Sequence, residues 1–186
     1  MTELLTLARD AGFEETTPLQ AAQLVFRPEV RDMCRADRCS SYGKSWCCPP
    51  ACPSLEEMTR RMWDYGQGVL VETVGTMADD FDYEAMMEAE ARHKERFRQL
   101  TQALYHRYGR ENVLPMGAGT CRRCARCTYP DAPCRFPEEQ VVSMEAYGLL
   151  VSQVCQDCGA VYYHGPRTMT YVSCIFLRRD AEGGNK

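Results

Sequence analysis

The sequence has no long apolar run and no overall excess of basic residues. No apolar stretch approaches the length of a membrane-spanning helix, so we predict no membrane span. The formal net charge is −4, which argues against nucleic-acid binding. The N-terminal segment is too short and too charged for a secretory signal peptide, which predicts a cytoplasmic protein. Phosphate-binding loops and dinucleotide-binding glycine patterns are also missing.

Cysteine, in contrast, is abundant, with 12 cysteines in 186 residues. In a reducing compartment, dense cysteine groups bind metal more often than they form disulfides. Six disulfides would suit the even count, but the missing export signal and the small rings that C-x-x-C pairs would close argue against them. A hydrophobic fraction of 45% can fill one core, so we predict a single cysteine-rich metal-binding domain over residues 1–186.

The most regular cysteine group lies in a loop over residues 121–137 and has the spacing C-x-x-C-x-x-C, with a fourth cysteine seven positions later. Its members, called here the C-terminal group, are Cys121, Cys124, Cys127 and Cys134. This spacing favours a [4Fe–4S] cubane, whose irons each take one thiolate, over zinc, which usually binds two separated C-x-x-C pairs. The fourth cysteine is further away than in the bacterial ferredoxin run. Four arginines either raise the potential at this site or form a solvated face: Arg122, Arg123, Arg126 and Arg135.

A second loop, over residues 34–52, contains five cysteines. We predict four ligands here, called the N-terminal group: Cys34, Cys39, Cys48 and Cys52. Cys48 and Cys52 each precede a proline, a habit of cluster ligands. Adjacent side chains point in different directions, so we predict that Cys47 is a spare thiol packed beside Trp46. A structural zinc knuckle remains the alternative for this loop.

A third set of residues is weaker as a site. It comprises Cys155, Cys158, His164 and Cys174, which formally make a Cys3His zinc set. The spacing is loose, and free cysteine is a common buried residue, so we favour core thiols. A third metal site and redox-reactive cysteines remain open. His93 and His106, on the predicted long helix, indicate no site.

Apolar periodicity and turn signals predict a mixed fold. We expect helices over residues 2–11, 28–34, 55–65 and 83–108, a further helix that begins at Pro137 and includes residues 144–155, and strands over 68–75, 112–117 and 168–177. The polar, glycine-rich tail after Arg178 is expected to fray. This order predicts an α+β fold, a small sheet covered by helices with two cysteine-rich metal-binding loops at its edge.

With these motifs in place, the chain resembles a family of predicted metal-binding, cysteine-rich proteins of unknown function from bacteria and archaea. The resemblance covers roughly residues 20–178. It is carried by Val30-Arg-Asp-Met-Cys34, Cys39-Ser-Ser-Tyr-Gly-Lys-Ser-Trp-Cys-Cys-Pro-Pro50, residues 121–137, Ser143-Met-Glu-Ala-Tyr-Gly148 and Thr170-Tyr-Val-Ser-Cys174. The resemblance implies metal binding through these cysteines and little more. In the family pattern the residue before Cys48 is not cysteine, which supports Cys47 as the spare. Cys155 and Cys174 match family positions, whereas Cys158 does not.

The cysteine groups predict an iron–sulfur protein with two [4Fe–4S] clusters that transfers electrons or supports a partner enzyme. A redox partner protein is therefore expected, and Arg-rich surroundings would suit an acidic one. Three alternatives stay open: a zinc-binding structural or interaction module, an enzyme in which a cluster binds substrate, and an iron–sulfur sensor or carrier. The sequence decides neither whether the chain is an enzyme nor its oligomeric state.

Overall fold

The fold is described from a computed structural model of the chain, for residues 1–181. The helices are α1 (Thr2–Asp10), α2 (Pro28–Met33), α3 (Leu55–Met62), α4 (Tyr83–Tyr108) and α5 (Val151–Cys158). The strands are β1 (Glu15–Gln20), β2 (Tyr65–Thr76), β3 (Val113–Gly117), β4 (Val142–Ser143) and β5 (Thr168–Arg178). Part of the tail predicted to fray, residues 182–186, lies outside the described residues.

The five strands form one sheet with the order β1-β2-β5-β3-β4. The pairs β1–β2, β2–β5 and β3–β5 are antiparallel, and only the short β3–β4 pair is parallel. In the central β2–β5 pair, Leu70 lies opposite Cys174 and Val71 opposite Ser173. A five-stranded sheet flanked by helices confirms the predicted α+β class.

The alternation of side chains along the central strands gives the sheet two apolar faces. Val69 and Val71 of β2 pack with residues of α1 and α4, such as Phe97 and Leu100. Leu70 instead belongs to a cluster on the other face that also holds buried cysteines. Those cysteines are Cys47, Cys52, Cys155 and Cys174. One face of the sheet therefore supports the long helix, and the other supports the cysteine-bearing segments.

The predicted long helix is confirmed by α4, with the expected bounds. Asp82 caps its N-terminus by accepting a hydrogen bond from the Ala85 backbone N–H at 3.1 Å. Gly109 ends it with φ of 82°, a left-handed value that favours glycine. Helix α3 likewise begins with the predicted capping box of Ser54 and Glu57.

One prediction about regular structure is wrong, and one strand was not predicted. No helix begins at Pro137; residues Pro137–Glu139 form a single 3-10 turn, and β4 then pairs with β3. Gly148 follows with φ of 80°, so the helix starts only at Val151. The sequence analysis also missed β1, an edge strand that tolerates Pro18.

None of the helices in residues 1–181 combines the length and apolarity needed to cross a membrane. The longest, α4, carries charged residues along most of its length.

Candidate metal centre

The two cysteine loops, predicted separately, contact each other. Thr120, next to Cys121, links them: its hydroxyl donates to Ser41 Oγ at 2.9 Å and lies 3.7 Å from Cys48 Sγ. Trp46 Nε1 donates to the Ala132 carbonyl at 3.1 Å. The cysteine groups therefore occupy one continuous region of the protein rather than two separate edges.

The C-terminal group surrounds a single cavity. All four cysteines, Cys121, Cys124, Cys127 and Cys134, line a space of about 170 Å³, called here the cysteine cavity. Two backbone N–H groups donate to sulfurs of the group, from Phe136 to Cys134 Sγ at 3.4 Å and from Arg123 to Cys121. Such N–H···S bonds stabilise negative charge on sulfur, as a bound metal group requires.

Cys47 also lines the cysteine cavity, although it belongs to the N-terminal loop in sequence. It is buried, and its thiol shares a hydrogen bond with Cys121. This bond raises the pKa of Cys47 and lowers the pKa of Cys121, because it favours the thiolate on Cys121. The position of Cys47 beside Cys121 could not be predicted from the sequence, because only the contact between the two loops creates it. That Cys47 is a spare thiol remains a prediction.

The N-terminal group extends from the core to the surface of the same region. Cys48 and Cys52 are buried, Cys34 is half-buried, and Cys39 is exposed. Burial is the main cause that raises the pKa of Cys34, and the neighbouring thiols of Cys39 and Cys48 add to the effect. These mutual effects indicate that the thiols lie near one another. Arg31 of α2 holds the end of the loop by donating to the Pro53 carbonyl and, at 3.3 Å, to the Cys52 carbonyl.

The structure gives three of the four predicted arginines specific contacts. Arg123 donates from Nε to Glu139 Oε2 at 2.8 Å and lies 4.3 Å above the Phe136 ring. Arg122 Nε lies 3.3 Å from Glu90 Oε1, and Arg135 donates to the Arg126 carbonyl at 2.9 Å. Arg126 itself is exposed. The arginines are therefore part of the loop architecture as well as a source of positive potential.

A lysine on α4 holds the start of the C-terminal loop. Lys94 Nζ donates to Glu90 Oε1 and to the Thr120 carbonyl, both at 2.6 Å. Glu90 also accepts the contact from Arg122, so one carboxylate joins two cations from two elements. The Glu90 side chain is only 11% exposed, so these interactions are weakly screened by solvent.

We expect Glu90→Gln to destabilise the protein by about 1 kcal/mol, because Lys94 and Arg122 lose the charge of a largely buried carboxylate. The effect stays modest because Lys94 keeps its hydrogen bond to the Thr120 carbonyl. Thermal unfolding and the rate of metal release to a chelator measure the effect, and release should become faster. Glu95→Gln is the matched control, since Glu95 makes an exposed pair with Arg98 on the same helix. Equal effects of the two changes would contradict the proposed role of Glu90.

Residues of the third set lie around a buried carboxylate that was not predicted from the sequence. Glu72 of β2 is buried, with Oε1 3.8 Å from Cys155 Sγ and Oε2 3.7 Å from His164 Nε2. Burial raises the pKa of Glu72, and burial also raises the pKa of Cys155 to about 12. Cys155 and Cys174 are fully buried thiols of the core. A single glutamate within the β-branched run of β2 was the sequence signal for this contact.

All twelve cysteines are free thiols, so the alternative of six disulfides is not found. Among residues 1–181, no group of three or more His, Cys, Asp or Glu side chains is arranged to hold a metal ion. Around one zinc ion, four sulfurs at 2.3 Å would lie about 3.8 Å apart. The four cysteines of the C-terminal group instead lie around a cavity of about 170 Å³, with room for several water molecules.

The fold and this site define a cysteine-rich α+β protein with two cysteine-bearing loops in contact. The chain belongs to the family described as "Predicted metal-binding protein (DUF2284)", which matches residues 17–177. This match confirms the resemblance seen in the sequence. Neither a curated protein nor a solved structure matches the chain.

Proposed function

We propose that this protein is an iron–sulfur protein that binds two [4Fe–4S] clusters and transfers electrons to a partner protein. The observation that carries the proposal is the cysteine cavity, which all four members of the C-terminal group line. The thiolates of Cys121, Cys124, Cys127 and Cys134 would hold one cluster, and those of Cys34, Cys39, Cys48 and Cys52 the other. The clusters would supply one-electron chemistry.

The protein's own residues would set the conditions for that chemistry. The N–H groups of Phe136 and Arg123 favour thiolate at Cys134 and Cys121, and the same bonds would raise a cluster's reduction potential. Lys94 fixes the carbonyl of Thr120 and brings a positive charge near Cys121. The contact between Thr120 and Cys48 supports a short separation of the two groups, which suits a relay.

The charge distribution supports an acidic redox partner. Exposed cations lie on both cysteine loops. Arg35 and Lys44 pair with Asp32 and Asp37, whereas Arg38, Arg126 and Arg135 make no ion pair within residues 1–181. The whole chain, in contrast, has a formal net charge of −4. Such an asymmetric charge steers an acidic partner towards the cysteine loops and makes association sensitive to salt. Twelve free thiols suit a reducing compartment, so we place the protein in the cytoplasm.

Anaerobic purification followed by metal analysis tests the proposal. We expect a brown protein with about eight irons and about eight acid-labile sulfides per chain, as two cubanes require. Electron paramagnetic resonance of the reduced protein should show two interacting clusters. A colourless protein with stoichiometric zinc would establish the structural module instead. Ready transfer of the clusters to an apo-protein would support a carrier and contradict electron transfer.

A further inference from the structure

A second and larger cavity lies beside the cysteine cavity. It has a volume of about 560 Å³, is open to solvent, and lies between α4 on one side and residues 117–123 and 138–141 on the other. This volume is in the range of small-molecule sites in proteins, about 300–1,000 Å³. We call it the helix cavity. The metal-binding function proposed above does not use it.

The two cavities share a wall. Thr120, Cys121, Arg123 and Glu139 line both of them. A molecule in the helix cavity would therefore lie next to the first cysteine of the C-terminal group. This adjacency distinguishes the helix cavity from an incidental surface groove elsewhere on the molecule.

The helix cavity has an apolar wall backed by a neutral polar pair. Phe97 and Ala91 of α4 and Val141 opposite them supply the apolar surface. Beneath this surface lie His93 and Ser173, which are almost fully buried and contact each other, with His93 Nε2 2.8 Å from Ser173 Oγ. Burial lowers the pKa of His93 to about 3, so the imidazole is neutral near pH 7. The cavity therefore suits a ligand with an apolar body.

Positive charge is in excess at the end that adjoins Cys121. There Glu90 alone faces both Lys94 and Arg122. Arg122 is 55% exposed and meets Glu90 only through Nε, and its two terminal nitrogens have no hydrogen-bond partner within residues 1–181. Guanidinium groups with free donors bind carboxylates and phosphates in a planar, paired geometry.

The remaining charges of the cavity wall are paired except that of Glu138. Glu95 accepts two hydrogen bonds from Arg98, and Glu139 accepts two from Arg123. Glu138 lines the cavity on the Pro137–Glu139 turn, and its exposed carboxylate makes no ion pair within residues 1–181. The preference for an anion therefore depends on Arg122 and Lys94, at the end of the cavity beside Cys121.

We infer that the helix cavity binds a small organic anion, with its apolar body against Phe97 and Val141 and its anionic group at Arg122. The ligand site itself depends only on the cavity and its charges. The role of this ligand site beside a redox centre rests on the function proposed above. Ligand binding there would make the protein an enzyme or a ligand-responsive redox protein rather than a plain electron carrier.

Calorimetric titration of the anaerobically purified protein with benzoate tests this inference. Benzamidine, which has the same ring with a positive charge, is the matched probe, and iron content is measured on the same samples. We expect benzoate to bind with one site per chain and benzamidine to bind at least about tenfold more weakly. Arg122→Gln should weaken benzoate binding about tenfold, which corresponds to about 1.4 kcal/mol for a lost charged contact.

Two further variants separate local from general effects. Arg126→Gln removes a charge from the same loop outside both cavities and should leave benzoate binding unchanged. Ala91→Trp fills the cavity from an exposed position of α4 and should abolish binding without unfolding the protein. The inference is overturned if benzoate fails to bind, if benzamidine binds equally well, or if Arg126→Gln weakens binding as much as Arg122→Gln does. Benzoate binding to a protein without iron would overturn the iron–sulfur proposal and leave the ligand site standing.

Discussion

Replacement of Cys124 by alanine is expected to remove about half of the bound iron, from about eight to about four atoms per chain. Cys124 is the middle cysteine of the C-x-x-C-x-x-C run and lines the cysteine cavity. Its loss would leave one iron of that cubane without a thiolate. The N-terminal group has its own four cysteines and should keep its cluster. Iron and sulfide analysis together with visible absorbance measure the result.

Two controls make this result specific. Cys158→Ala removes a half-buried thiol that belongs to neither cysteine group and donates to the Cys155 carbonyl at 3.4 Å, and its iron content should be unchanged. Cys39→Ala is the reciprocal change, since Cys39 is an exposed member of the N-terminal group and should cost the other half of the iron. Cys124→Ala and Cys39→Ala should each also lose the magnetic interaction between clusters, and Cys158→Ala should keep it. Unchanged iron in Cys124→Ala would defeat the assignment of the C-terminal group as ligands.

Lowering the pH from 7.5 to 5 is expected to destabilise the protein through His93. Its ring nitrogens lie 3.0 Å from Thr73 Oγ1 and 2.8 Å from Ser173 Oγ, and the side chain is 1% exposed. Burial, helped by the nearby charges of Lys94 and Arg96, lowers the pKa of His93 from 6.5 to about 3. The folded state therefore holds a neutral imidazole where the unfolded chain would be protonated.

The sign of the effect follows from proton linkage. Below pH 6.5 the unfolded state binds the proton and the folded state does not, so stability falls as the pH falls, until about pH 3. At pH 5 the loss is about 2 kcal/mol, which lowers the apparent melting temperature by about 4–8 °C. The buried carboxyl of Glu72, with its raised pKa, acts in the opposite direction and offsets part of the loss.

A comparison with His93→Gln isolates the histidine. Glutamine keeps hydrogen-bonding capacity towards the hydroxyls of Thr73 and Ser173 but does not titrate. The contribution of Glu72 is common to both proteins, so it cancels in the difference between their melting temperatures at each pH. We expect the variant to be less stable at pH 7.5 and to lose less stability at pH 5. Parallel pH profiles for the two proteins would show that His93 is not the titrating group.

The buried His93–Ser173 pair resembles the base and nucleophile of a hydrolytic site, and its environment argues against that role. Ser173 has no exposed surface, and the pKa of His93 is too low for the imidazole to take a proton near pH 7. The pair is better explained as a satisfied polar contact between α4 and the sheet. An enzymatic role would therefore depend on the cysteine groups and the helix cavity.

Elements with local signals were predicted well from the sequence. The signals for helix α4 are an aspartate cap, a long run of helix-forming residues and a terminal glycine, and they follow one another directly in the sequence. The prediction failed after Pro137, because a proline followed by two glutamates is also a good start for a 3-10 turn. There the pairing of Val142 and Ser143 with β3 and the left-handed turn at Gly148 prevented a continuous helix.

The sequence by itself determined the class of this protein, a cysteine-rich member of a family of predicted metal-binding proteins. The spacing of Cys121, Cys124 and Cys127 places three thiols within one loop, and such short-range geometry can be read without a fold. The tertiary structure alone decided what surrounds those thiols. Cys48 and Thr120 meet although they are 72 residues apart, and Cys47 reaches Cys121 through the same contact between loops. The helix cavity likewise exists only because α4 packs beside that loop. It could not be predicted, because packing between distant segments leaves no periodic pattern in the sequence.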